Sequence, residues 1–157
     1  MPWTARPVDH RAPEVAAELM AIQRAAYRVE AELIGYQGLP GLVEGPADIA
    51  VLDLVVLTVH DDDGALLGLV GYERDEGVVD IDRLAVDPAA FRRGVGRALV
   101  DAVHDREADA SYFKVSTGSD NTPAVALYTS MGYRPVGSKV IEGCPVTRFA
   151  REPEPEA

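Results

Sequence analysis

The chain has 157 residues, 47% of them apolar and 26% charged, with a formal net charge of −11. That size suits one domain with its own core, and the composition is that of a water-soluble globular protein. The charge argues against general binding to nucleic acid or to an anionic membrane, no apolar run approaches the roughly 20 residues of a membrane span, and the lone cysteine excludes an internal disulfide.

The opening residues, MPWTARPVDH, lack the basic start and apolar middle of a secretory signal, so the cytoplasm is the expected location. Pro13 suits a first helical turn, and Val15, Leu19, Ile22 and Ala26 then form one apolar stripe. A helix is therefore expected from Pro13 to about Arg28. The Gly- and Pro-rich stretch ELIGYQGLPGLVEGP reads as a loop, and Pro46 opens a brief second helix in PADIAVLDL.

A meander follows. LVVLTVH, ALLGLVGYER and VVDIDRLAV read as strands, and the turns DDDG and DEG between them are short enough to force antiparallel neighbours. After RRGVG comes a helix whose Val95, Ala98, Leu99, Ala102 and Val103 share one face. SYFKVSTG is a further strand, and strand–helix–strand in this order implies a parallel pair with a right-handed crossover. In SDNTPAVALYTSMGY, Asn121 or Thr122 caps a helix, Pro123 lies in its first turn and Gly132 ends it. YRPVGSKVI and CPVTRFAR form a closing hairpin, and the acidic tail is expected to be disordered. The expectation is one α/β domain over residues 1–150, with a mixed sheet, and a tail over 151–157.

His10, His60 and His104 have no metal-ligand spacing, so no metal is expected. Cys144 reads as a small strand hydrophobe rather than a nucleophile.

The junction RRGVGRALV carries the strongest functional signal. A helix N-terminus has unpaired N–H groups and the positive end of the helix dipole, and glycines let a ligand approach the backbone. Arg92, Arg93 and Arg97 add local positive charge, so the junction suits a phosphate or diphosphate. It lacks the Lys-Ser/Thr of a P-loop, and Leu99 stands where a dinucleotide fold needs its third glycine.

LAVDP, RRGVGRALV and NTPAVALYTSMGY, in this order, resemble the GCN5-related N-acetyltransferase (GNAT) family over about Ala5 to Ala150. The family pattern Q/R-x-x-G-x-G/A falls on Phe91 to Gly96, with Phe91 in place of Gln or Arg. Asn121, Ala124, Leu127, Tyr128, Gly132 and Tyr133 match N-x-x-A-x-x-L-Y-x-x-x-G-F/Y.

The resemblance implies a single-domain fold with a mostly antiparallel mixed sheet, a splayed parallel pair and flanking helices. It implies acetyl-CoA as cosubstrate, direct transfer of acetyl to an amine without a Cys144 intermediate, and these site residues. Main-chain groups of Leu84, Ala85 and Val86 hold the pantetheine. The N–H groups of Arg92, Arg93, Gly94, Val95, Gly96 and Arg97 hold the pyrophosphate. Asn121 contacts the pantetheine or orders the site, or serves only as a helix cap. Tyr128 is the acid toward the CoA sulfur, its phenol protonated at neutral pH. Asp80 is the base, on a strand where Asp80 and Asp82 are taken to share a face with Leu84 and Val86, with Glu30 and Glu32 in reserve.

Two rival readings are a non-catalytic CoA-binding or sensor module and a nucleotide-binding domain. The acceptor is a small-molecule or peptide amine, for which Tyr27, Glu30, Glu32, Tyr36 and Glu44 offer an acidic, aromatic pocket or an ordinary surface. A homodimer is one option for its assembly.

Overall fold

A computed structural model describes residues 3–35 and 44–152. The two-residue strand β1 (Arg6–Pro7) is too short to leave a pattern in the sequence. It precedes helix α1 (Pro13–Ile34), which opens on its proline and ends at Gly35, left-handed at φ 68°. The Gly35 N–H closes the helix on the Ala31 carbonyl at 2.8 Å. α1 thus runs past Arg28, because VEAELI holds no breaker before Gly35. Helix α2 (Pro46–Ala50) follows, its first turn held by Asp48 Oδ2, which accepts from the Gly45 N–H at 2.7 Å.

Strands β2 (Val55–His60), β3 (Leu66–Asp75) and β4 (Val78–Val86) form the expected meander. A short 3₁₀ turn at Pro88–Ala90, absent from the sequence reading, is capped by Asp87. Helix α3 (Val95–Arg106), strand β5 (Tyr112–Gly118) and helix α4 (Thr122–Ser130) come next. Strands β6 (Arg134–Ile141) and β7 (Cys144–Arg151) close the chain. β7 includes Arg151, one residue beyond the expected domain end, and Glu152 pairs with Arg134 at 2.9 Å. The rest of the acidic tail lies outside the described residues.

The sheet order is β1-β2-β3-β4-β5-β7-β6, antiparallel except for the pair β4/β5. One face packs Val70, Tyr72, Val79, Ile81 and Val115 against α3 and α4, whose Leu99, Val103 and Tyr128 are buried there. The other face packs Val56, Leu69 and Ala85 against Ala16, Leu19 and Ala26 of α1. No helix among the described residues is long and apolar enough to cross a membrane.

Two features of β4 position the site. Its pairing with β5 stops at Ile81–Val115, so the strands separate beyond that point. Its register with β3 slips between Gly71–Arg83 and Tyr72–Ile81, leaving Asp82 as an extra, bulged residue. A bulge resets the alternation of side chains. Val79 and Ile81 therefore share a face with Leu84 and Val86. The expected alignment of Asp80 with Leu84 and Val86 is corrected by this bulge, since Asp80 lies on the opposite face.

Candidate active site

Where β4 and β5 separate, a cleft of about 270 Å³ opens between them. β4 contributes Asp82, Arg83 and Leu84, β5 contributes Ser116, Thr117 and Gly118, α1 contributes Tyr27 and Glu30, and Asn121 and Tyr128 close it from α4. With no strand partner on the β5 side beyond Ile81, main-chain groups of β4 along 82–86 turn toward the cleft.

The start of α3 lies beside the cleft, Gly96 standing near the lining residue Leu84. Gly94 is the helix N-cap at φ 82°, a conformation only glycine adopts without strain. It supplies no side-chain cap, and the first intrahelical bond from this end is Ala98 N–H to the Gly94 carbonyl at 3.0 Å. The N–H groups of Val95, Gly96 and Arg97 precede that bond and have no helical acceptor. A Cβ at Gly94 would meet nothing within 4 Å, so the space over the turn is open. A Cβ at Gly96 would lie 3.5 Å from Leu127 and 3.7 Å from Val86, in ordinary contact. The protein's own packing therefore does not require a glycine at 96, and Ala would favour the helix by about 1 kcal/mol. A bare backbone there instead keeps the turn accessible beside Leu84.

The arginines are partly committed elsewhere. Arg92 adopts φ 66°, an unusual conformation for a side-chain-bearing residue. The Arg93 guanidinium carbon lies 5.1 Å from the Trp3 ring centre, and the indole N–H donates to the Arg93 carbonyl at 2.8 Å. Arg97 donates to Ser130 Oγ at 2.5 Å, tying α3 to α4. Val95 is buried and anchors the turn in the core.

Tyr128 is only 3% exposed, and its ring contacts Tyr133 and Phe149. Burial pushes its phenol well above the ordinary range, with Tyr27, Tyr133 and Glu30 adding to the shift, so it holds its proton. Asn121 caps α4, its Oδ1 accepting from the Ala124 N–H at 3.3 Å, and is buried on the cleft. The cap and the cleft position coexist in one residue.

The acidic residues separate. Burial lifts the Glu30 carboxyl above the usual carboxylate range, and the neighbouring Asn121 amide pulls it part of the way back. Asp80 is not among the cleft residues. Its carboxylate, 39% exposed, lies 3.9 Å from Lys114, and burial still lifts its pKa, with Lys114 opposing. Glu32 is exposed. Glu44 is engaged by Arg83 at 2.8 Å, which Gln23 joins at 3.0 Å, so its charge is neutralised behind the cleft. Tyr36 lies outside the described residues. Of the expected acidic pocket, Tyr27 and Glu30 reach the cleft. The sequence reading missed Asp82 as a residue lining the cleft, its carboxylate accepting from Arg83 Nε at 2.7 Å, because the bulge at this position leaves no mark in the residue pattern.

Cys144 opens β7 and is buried. Among the described residues, no group of three or more His, Cys, Asp or Glu is placed to hold a metal.

Comparison with known proteins agrees with this fold. The acetyltransferase (GNAT) domain family matches residues 53–135, from the start of the meander through both motifs. The chain is 39% identical over 127 residues, 81% of its length, to UPF0157 protein YqkA of Bacillus subtilis (strain 168). It spans only 37% of that relative's length. The fold superposes on the ribosomal-protein-S18-alanine N-acetyltransferase of Escherichia coli with a TM-score of 0.77 at 15% identity, covering 99% of this chain and 96% of that one. The PaiA N-acetyltransferase of Thermoplasma acidophilum, solved in complex with coenzyme A, gives 0.74 at 12% identity, covering 97% and 99%. The chain belongs to the GNAT acetyltransferase family.

Proposed function

We propose that the chain moves the acetyl group of acetyl-CoA directly to an amine bound in the β4/β5 cleft. The observation that carries this reading is the open glycine turn, where Gly96 stands beside Leu84, next to the cleft that Leu84 and the buried Tyr128 line. The two together offer unpaired N–H groups for a diphosphate and a protonated phenol.

Acetyl-CoA supplies the acyl group as a thioester. The N–H groups of Arg92 through Arg97 hold the diphosphate, and the freed main chain of Leu84, Ala85 and Val86 holds the pantetheine arm. A β4 N–H facing the acyl oxygen stabilises the charge that develops there. The amine must lose a proton to gain a lone pair, and Glu30 is the carboxylate at hand in the cleft. Desolvation raises its proton affinity toward the working range of a base. The C–N bond forms as the C–S bond breaks; Tyr128 Oη gives its proton to the departing sulfur and recovers one from the acylated nitrogen, which sheds its second proton as the amide forms. Asp80, on the opposite face of β4, reaches the acceptor only through water. Asp82 is paired with its neighbour Arg83 at 2.7 Å, which leaves Glu30 as the cleft carboxylate for a cationic amine: a small molecule or a peptide amine.

Release of free thiol from acetyl-CoA across a library of amines tests the reading. Amine-dependent release is expected. Tight binding of acetyl-CoA with no transfer to any amine would instead favour a CoA-sensing module, and displacement of CoA by ATP or NAD a nucleotide-binding one.

A further inference from the structure

We propose that Trp3 is a positioning residue for the diphosphate-binding turn: its indole N–H holds the Arg93 carbonyl and thereby aims the Gly94 N–H at the bound anion. The inference rests on the reading of this turn as the coenzyme A site.

Trp3 stands 90 residues from Arg93 in sequence, yet its Nε1 donates to the Arg93 carbonyl at 2.8 Å. A trans peptide unit is planar, with C=O and N–H pointing opposite ways. Fixing the Arg93 oxygen toward Trp3 therefore fixes the Gly94 N–H away from it. This peptide needs such a restraint. The residues flanking Arg93, Arg92 and Gly94, have φ 66° and 82°, and glycine's permissive backbone makes rotation of the 93–94 unit inexpensive. The rotated unit would present a carbonyl oxygen, an acceptor, to an anion.

The restraint is itself anchored. Trp3 and Ala5 pack against the main core, and the chain passes at once into β1, whose Arg6 and Pro7 pair with Thr58 and Leu57. The Arg93 guanidinium rests over the same indole, which keeps a positive charge at the edge of the turn. Arg97 is held to Ser130, so Arg93 is the arginine whose placement Trp3 decides.

Trp3 is the chain's only tryptophan, so its fluorescence reports on the turn without any variant. Titration of the unmodified chain with coenzyme A should change its emission along the same curve that calorimetry gives. In Trp3→Phe an aromatic ring, smaller than the indole, stays and the N–H is lost. Its dissociation constant for coenzyme A should rise about five- to tenfold, the worth of one net hydrogen bond. Its affinity for pantetheine, which lacks the diphosphate, should stay at the wild-type value. The inference is overturned by emission that does not move at saturating coenzyme A. Trp3→Phe binding coenzyme A as wild type does, or losing pantetheine affinity to the same degree, overturns it equally. Failure of the unmodified chain to bind coenzyme A in calorimetry would be a different result, overturning the site reading beneath it.

Discussion

Tyr128 and Glu30, the proposed acid and base, both line the cleft, and burial moves both toward their neutral forms. A phenol held protonated serves as an acid. Tyr128→Phe should cut turnover by about 100-fold or more while leaving the dissociation constant for acetyl-CoA within about twofold, in steady-state kinetics paired with calorimetry. Equal turnover would remove Tyr128 from the chemistry. A carboxyl with a raised pKa serves as a base only above that pKa. Activity should therefore rise with pH through a limb lying above the ordinary carboxylate range. In Glu30→Gln that limb should vanish and kcat fall by about 100-fold, whereas Asp80→Asn should keep it. The opposite pattern would return the role to Asp80. At this scale the sequence was legible in where motif residues lie, with Gly94 at the N-cap of α3, Asn121 at the N-cap of α4 and Tyr128 buried in that helix. It was least legible in which acid reaches the cleft. Glu30 comes there from α1, far from both motifs, and only tertiary packing puts it there rather than Glu32 or Asp80.

In the proposed site, helix α3 and strand β4 carry the binding end. The open turn depends on Gly94 for its conformation and on the unpaired N–H groups after it. Gly94→Asp places a side chain where φ is 82° and a negative charge where a diphosphate is to bind. The left-handed conformation alone costs about 1 kcal/mol. The affinity for coenzyme A should drop at least about tenfold by calorimetry, and more at low salt. Unchanged affinity in a folded variant would mean that the diphosphate sits elsewhere. The elements themselves were largely readable. Apolar spacing marks α3, and the two tight turns mark the meander, because local hydrogen bonding and burial share one period there. The bulge at Asp82 was not readable. Nothing in VVDIDRLAV distinguishes a continuous strand from one with an extra residue, since the slip is imposed by β3 across the pair. The same limit hid β1, whose two residues form a strand only because β2 offers an edge.

Across the whole molecule, a half-buried polar cluster beyond Tyr128 links α3 to the last strand. Arg151, which can only donate, bonds His104 Nδ1, and His104 Nε2–H donates to Tyr133 Oη at 2.7 Å. Burial, with Arg151 adding repulsion, pushes the His104 pKa from 6.5 down to about 4. A histidine held neutral in the fold but free to charge when unfolded stabilises the fold fully above its unfolded pKa. That stability is lost as pH falls from about 6.5 toward 4. The loss should amount to about 1–2 kcal/mol after allowance for solvent screening. Glu30 and Asp80, with raised pKa values, act in the opposite sense over part of this range, so the test compares variants. Denaturant melts of wild type should lose this increment between pH 6.5 and 4, and melts of His104→Gln should not. Parallel pH curves for the two would show that His104 contributes nothing to the acid response.

Coenzyme A in the gap between β4 and β5, with its diphosphate on the α3 turn, is the proposal on which the others depend, and a crystal structure of the chain with coenzyme A checks it. Diphosphate oxygens are expected within hydrogen-bond distance of the N–H groups from Gly94 to Arg97, and the sulfur inside the cleft beside Tyr128. Coenzyme bound on another surface, or a diphosphate away from the turn, would contradict it.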